Sequence, residues 1–228
     1  MGYRFDLDDV AFLRSAAGAG ALAAADRLPL AEASRIADVA AVRALVGGRF
    51  AAAVLETAVL RRRAVSKLDH AQAWLFTADA LQQATPTPVA RHRARRLAGR
   101  DVHDVTCSVG ADLVELAATA RRAIGSDTDP VRLAMAANNV GTRLLARADA
   151  LHPVTAEAVV FADPARRDDA GRRRWRVADF VPPLAELAEV YRGRGLVVKA
   201  APGMDFDLTP WAAEVELVSL DGDVREAC

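Results

Sequence analysis

Lysine is almost absent from this 228-residue chain: Lys67 and Lys199 are the only two, and arginine supplies the other cations. Thirty acids balance thirty basic residues, so the net charge is zero and any grip on a polyanion has to come from local patches. Cysteine is as scarce. Cys107 and Cys228 stand far apart in the chain, which excludes a disulfide framework and favours a reducing, cytoplasmic setting. The four histidines, His70, His92, His103 and His152, show no metal-ligand spacing, so no metal is expected. No apolar run reaches membrane-spanning length, and the N-terminus opens on Arg4, Asp6, Asp8 and Asp9 instead of a signal peptide. Two nucleotide signatures are missing as well, G-x-G-x-x-G and G-x-x-x-x-G-K-[ST]. What remains is the composition of a globular protein, 52% hydrophobic and 26% charged, long enough for one or two domains.

Residues 102–127, VHDVTCSVGADLVELAATARRAIGSD, organise the rest. A short run ends in Asp104, turns through Thr106, Cys107, Ser108 and Gly110, and enters a segment with Leu113, Leu116 and Ala117 at helical spacing. A second run ends in Asp127, where a ribose-binding carboxylate falls in a βαβ nucleotide unit. Strands are expected over 102–106, 122–127, 143–148, 158–163, 195–200 and 214–219, with helices near 111–121, 129–140 and 182–192. That alternation predicts an α/β fold, a mostly parallel sheet with helices on both faces. Ligands in such sheets lie beyond the C-terminal strand ends. Asp104, Asp127, Asp149 and Asp163 stand there as a group.

Residues 1–84 read as helices only. Gly47-Gly48 punctuates them, and Asp69 is placed to cap a helix carrying Trp74, Leu75, Phe76 and Leu81. After Thr85-Pro86-Thr87-Pro88, a basic helix puts Val89, His92, Arg93 and Arg96 on one face, with Arg91, Arg95 and Arg100 adding charge. It reads either as a solvated helix or as a landing site for phosphates.

The turn decides between nucleotides. A pyrophosphate needs several glycines and open amides at a helix start, whereas this turn offers Gly110 followed by Ala111 and Asp112, and Asp112 repels phosphate. S-adenosylmethionine carries no phosphate but does carry cationic groups, which acids favour. One glycine is enough for the backbone to pass it.

With HDVTCSVGAD, IGSDTDPVRLAMAANNV, ARADAL and VVFADPARR, the chain resembles the class I S-adenosylmethionine-dependent methyltransferases over roughly residues 65–227. More narrowly it is similar to bacterial methyltransferases with a THUMP-like C-terminal domain, and distantly to trimethylguanosine synthases. WLFTADALQQATPTPVARHRA, ahead of the first strand, belongs to the same likeness. The resemblance implies an all-α N-terminal domain (1–84) before a Rossmann-like methyltransferase domain (85–228). It also implies a truncated last strand and a C-terminal domain that this chain does not carry. It implies that Asp104 and Gly110, with Thr106 and Cys107, frame the methionine moiety under a lid at Thr85-Pro86. Asp127, beside Thr128, would hold the ribose hydroxyls, and Asp149 the adenine amine. Asp163-Pro164 would face the transferred methyl. The pattern departs from amino-methylating relatives in one respect: no aromatic follows Asp163-Pro164-Ala165-Arg166, and Trp175 is the only stand-in.

A second arginine cluster, Arg166, Arg167, Arg172, Arg173, Arg174 and Arg176, leaves that same strand end. The expected activity is methylation of a base nitrogen in RNA, contacted by Arg91, Arg95, Arg166, Arg173, Arg174 and Lys199. Two alternatives stand beside it. A small-molecule methyltransferase predicts a closed, largely apolar pocket. A cofactor-binding module without turnover is the other.

Overall fold

The structure, a computed structural model, describes residues 2–165 and 180–228. It contains two compact units: Met1–Thr87 with Ser108–Ala111 and Asp129–Arg143, and Pro88–Cys107 with Asp112–Thr128 and Leu144–Cys228.

The first unit is helical, and local side chains set its boundaries. Asp6 starts α1 (Leu7–Leu13) by accepting from the Asp9 N–H at 2.8 Å, while the Asp9 carboxylate accepts from the Asp6 N–H at 3.1 Å. This reciprocal box satisfies two helix-end donors at once. Ser15 caps α2 (Ala16–Ala25) one way, its hydroxyl accepting from the Gly18 N–H at 3.1 Å. The long helix α3 (Arg35–Ala64) is broken at Gly47, whose φ of 74° and ψ of 174° only glycine adopts without strain. The paired glycines are therefore a kink.

Asp69 caps no helix. Ala71–Ala73 make a single 3-10 turn, Trp74, Leu75 and Phe76 run extended, and α4 (Ala78–Gln83) begins only after its cap, Thr77. The cause is Asn139, last residue of α7 (Pro130–Asn139). Its Oδ1 accepts from the Leu75 N–H, and its Nδ2 donates to the Leu75 carbonyl, both at 2.8 Å. A side-chain amide thus gives the extended segment partners that a helix would supply from within. That leaves Trp74, Leu75 and Phe76 buried.

The second unit is built on a parallel sheet. Its strands are β1 (Asp101–Asp104), β2 (Arg122–Asp127), β3 (Leu145–Arg147), β4 (Val159–Ala162) and β5 (Leu196–Val198), in the order β3-β2-β1-β4-β5. These positions follow the expected strands closely. Strand alternation sorts the two faces. Val160 and Ala162 pack with Leu184 and Leu187 of α8 (Leu184–Val190) and with Tyr191. Phe161 points the other way, under the guanidinium of Arg93 in α5 (Thr87–Arg96), 4.6 Å from the ring centre. On that side α6 (Ala111–Thr119) packs Leu113 against Gly125 so closely that an added Cβ would sit 2.4 Å from Leu113 Cδ2. Helices therefore cover both faces.

The chain closes with a hairpin of β6 (Leu217–Leu220) and β7 (Asp223–Ala227), turned by Asp221 and Gly222 at φ of 55° and 83°. The last strand pairs antiparallel with β6, with a register shift between Val218 and Ser219. Ala227 also exchanges backbone hydrogen bonds with Ala200, 2.8 and 3.1 Å, placing β7 antiparallel beyond β5.

Candidate active site

The strand order reverses between β1 and β4, and in open α/β sheets the crevice beyond that point is where ligands bind. Asp104 closes β1 and Asp127 closes β2; Asp163 and Lys199 each follow their strand, β4 and β5, by one residue. Short polar contacts tie these ends together. The Thr106 N–H donates to Asp104 Oδ1 at 3.2 Å, and Thr106 Oγ1 accepts from the Asp163 N–H at 2.7 Å. The Cys107 N–H continues the ladder to the Ser126 carbonyl at 2.9 Å. Lys199 places its ammonium 2.6 Å from Asp163 Oδ2.

The charges here are buried, and their balance is specific. Asp104 is 2% exposed. Burial first, then the fields of Asp112, Asp163 and Asp127, push its carboxyl well above the usual carboxylate range, and the Thr106 N–H only partly offsets them. Arg93, also buried, donates to both Asp112 and Glu226. Burial alone would lower the Lys199 ammonium, but Asp163, Asp112 and Glu226 outweigh it and hold it above its ordinary value. The Cys107 thiol is pushed up, by burial and then by Asp104 and Asp127, which favours its protonated form. Among the described residues, no group of three or more His, Cys, Asp or Glu is placed to hold a metal ion, and no helix is long and apolar enough to cross a membrane.

Of the residues singled out from sequence, Asp104, Thr106, Cys107, Asp127, Asp163 and Lys199 meet at the sheet's C-terminal edge. Pro164 is buried next to Asp163. Thr128 is exposed, and its carbonyl accepts from Arg147 Nε at 3.1 Å. Asp149, exposed beyond β3, accepts from the Leu151 N–H at 2.8 Å. Thr85, Pro86 and Gly110 belong to the first unit, with Thr85 1% exposed, a buried residue where a lid was expected. Gly110 has φ of 90°, and an added Cβ would lie 2.6 Å from Val140 Cγ2, so packing against the end of α7 demands the glycine whatever passes the turn.

The basic helix α5 is not an open landing site. Arg91 is held by Glu115 at 3.0 and 3.2 Å, and Arg96 by Glu214 and Glu216. His92 sits 2.8 Å from Glu216. Arg95 is exposed. Lys199 is buried on Asp163 and offers no surface charge. Arg166, Arg173, Arg174 and Trp175 lie outside the described residues. The flanking Ala165 and Val181 pair as an antiparallel bridge immediately after Asp163-Pro164.

Three participants escaped the sequence reading. Arg93 was grouped by helical face, which located it without showing that the face turns inward. Glu226 carried no local signal. Asn139 was visible as the end of an Asn-Asn pair; besides Leu75 it donates to the Val109 carbonyl at 2.8 Å, fixing the turn before Gly110. A cavity of about 570 Å³ lies between α5, α8, β5 and the hairpin, walled by Val89, Tyr191, Phe206 and Trp211. Arg93 and Glu226 reach it, but Asp104, Asp127 and Asp163 do not.

Residues 6–64 match a family described as a domain of unknown function (DUF8688). Two proteins of Mycobacterium tuberculosis, from strains CDC 1551 / Oshkosh and ATCC 25618 / H37Rv, are each 54% identical to the chain over 200 residues. Both are described as an uncharacterized S-adenosylmethionine-dependent methyltransferase, and the match covers 82% of this chain and 55% of each of them. The chain therefore spans about half the length of these relatives. A crystal structure from Porphyromonas gingivalis W83, of a protein only provisionally assigned as a methyltransferase, superposes with a TM-score of 0.70. It is 21% identical, and the alignment covers 99% of this chain and 58% of that one, a likeness of fold.

Proposed function

We propose that this chain, a class I S-adenosylmethionine-dependent methyltransferase by sequence and fold, transfers a methyl group to a base nitrogen in RNA. One observation carries the cofactor reading: Asp104, Asp127 and Asp163 stand at the strand ends, with Asp112 in the first turn of α6, beside a turn with no phosphate-binding glycines. That donor set repels a pyrophosphate and suits a nucleoside with a ribose diol and positive charge. S-adenosylmethionine, when bound, supplies a methyl group already activated on sulfur. Asp127 holds the ribose diol, Asp104 faces the cationic part, and Asp149 takes the adenine amine. Asp163 accepts a hydrogen bond from the acceptor amine, orients its lone pair and stabilises the charge that builds on nitrogen. Pro164 stiffens the backbone there. Roles for Thr85, Pro86, Thr106, Cys107, Gly110 and Thr128 rest on the resemblance alone.

RNA as the acceptor is supported by Arg95 and by the arginines that follow Asp163-Pro164 in sequence, Arg166, Arg173 and Arg174. The ion pairs that occupy Arg91 and Arg96 favour the second reading, a small-molecule acceptor. The test uses isotope-labelled donor with total cellular RNA and with a metabolite extract, followed by nucleoside digestion. Label on a base nitrogen, with RNA affinity falling by about 0.7 log units per log salt for each phosphate contact, supports the proposal. Label in the metabolite fraction alone replaces RNA with the second reading. Asp127→Ala is expected to weaken cofactor binding by about 1.5–3 kcal/mol, the range for hydrogen bonds to a charged group. Tight NADH binding with none for the methyl donor would defeat the cofactor assignment.

A further inference from the structure

We propose that Lys199 is a positioning residue for Asp163, fixing its carboxylate so that one oxygen is locked and the other is presented to the methyl acceptor. The inference rests on the placement of Asp163 at the acceptor and deepens it. Lysine is the rarest cation in this chain, yet one of its two copies is buried at a strand end, 6% exposed. Its backbone continues the sheet, donating from its N–H to the Ala162 carbonyl at 2.8 Å. Adjacent parallel strands therefore deliver Lys199 and Asp163 side by side from β5 and β4. The ammonium takes Oδ2 at 2.6 Å, and Thr106 holds the backbone N–H of the same residue at 2.7 Å. Oδ1 has no hydrogen-bond partner among the described residues, and the side chain is 26% exposed. Asp163 is therefore restrained on two sides and open on a third.

The surroundings explain why a lysine can stay there. Asp112 and Glu226 act on the same ammonium, and both are themselves tied to Arg93. The two cations and three carboxylates form a set, buried except at Asp163, reaching from α5 and α6 through β7 to the ends of β4 and β5. An arginine of equal charge has a planar fork in place of a point donor. The role asked of residue 199 includes a charge-assisted contact from a point donor to one carboxylate oxygen. Holding a reacting group within a fraction of an ångström matters, because a misplacement of 1 Å costs about 100-fold in rate.

The test compares Lys199→Met, Lys199→Arg, Asp163→Asn and the double variant Lys199→Met/Asp163→Asn in the full chain. Transfer of label to RNA is expected to fall about 100-fold in Lys199→Met, with binding of S-adenosylhomocysteine by calorimetry within threefold, about 0.65 kcal/mol, of the parent. Lys199→Arg is expected to recover part of the rate. Because Lys199 acts through Asp163, the double variant should be no slower than Asp163→Asn alone. A readout independent of any substrate uses lysine labelled with carbon-13 at Cε, which gives two resonances only. The Lys199 resonance is expected to titrate at lower pH in Asp163→Asn, while that of Lys67 stays put. Additive rate losses, a Lys199→Met rate within threefold of the parent, or an unmoved Lys199 resonance would overturn the assignment. If Lys199→Met does not fold, the resonance and the Lys199→Arg rate decide it. A parent chain that labels no RNA refutes the RNA reading instead, and the resonance then decides the role of Lys199 by itself.

Discussion

Cofactor binding should expel a proton, and Asp104 is the source. Its carboxyl is 2% exposed and faces three other acids, with a single backbone donor at 3.2 Å. Burial and those neighbours favour the protonated form in the ligand-free protein. A cationic ligand beside it reverses the preference, so binding and deprotonation are coupled. The sign follows: apparent affinity rises with pH while Asp104 is still protonated in the free protein, by up to about tenfold per pH unit for one proton released. Stability without ligand runs the other way. A carboxyl whose folded value is raised contributes stability below its unfolded value, and that contribution is lost as pH rises through the folded value. Calorimetry in pairs of buffers of different ionisation enthalpy, at several pH values from the ordinary carboxylate range upward, measures the proton directly. The methyl donor, with its sulfonium, should release more than its demethylated product. Asp104→Asn should release none and bind with pH-independent affinity. Equal heats in both buffers, with affinity flat over this range, would refute the reasoning.

Three further outcomes are expected. Asn139→Asp keeps the acceptor for the Leu75 N–H but removes donors to two carbonyls, and should cost about 2–4 kcal/mol in chemical denaturation, whereas a loss below about 0.5 would show the amide to be dispensable. His103 is buried between Thr155 and Ser126, and burial, then Arg194, holds its imidazole down at about 4. Being depressed, it contributes stability above its unfolded value near 6.5 that fades as pH falls towards 4. The contribution is at most about 3 kcal/mol, less as solvent screens it, and His103→Gln should flatten this part of the stability profile. Arg93→Met strands Asp112 and Glu226 without a counter-charge and should cost about 3–5 kcal/mol, part of it recovered by adding Glu226→Gln; an unchanged midpoint would mean that the pair is not buried in solution.

The sheet was legible because its signals are local. β1 and β2 end in an acid, β4 is followed at once by Asp163, and Asp149 stands two residues beyond β3, while β5 is a short apolar run followed by Lys199. The extended stretch at Trp74, Leu75 and Phe76 was misread as helix for the opposite reason. Its apolar spacing suits either state, and the deciding partner, Asn139, stands 64 positions away from Leu75. Distance hid the charge pairing as well. Arg93 meets Asp112 across 19 positions, but Glu226 across 133. A cation and an acid that far apart look like two surface residues until a fold joins them.

That last point changes what the basic residues mean. Counted along the chain, Arg91, Arg93 and Arg96 belong to a basic helix that reads either as a solvated helix or as a landing site for phosphates, and Lys199 reads as a further contact to RNA. Placed in the fold, Arg91 and Arg96 are spent on Glu115, Glu214 and Glu216, while Arg93 and Lys199 point into the acid cluster. Without them, Asp112, Asp163 and Glu226 would face one another as like charges with no cation between them. Asp104 stays buried among these acids, and its titration is raised by burial first and then by Asp112, Asp163 and Asp127. A positive ligand at the strand ends would offset their fields. The two buried cations therefore balance Asp112, Asp163 and Glu226, a role that follows from where the strands end and not from the chain's neutral charge balance.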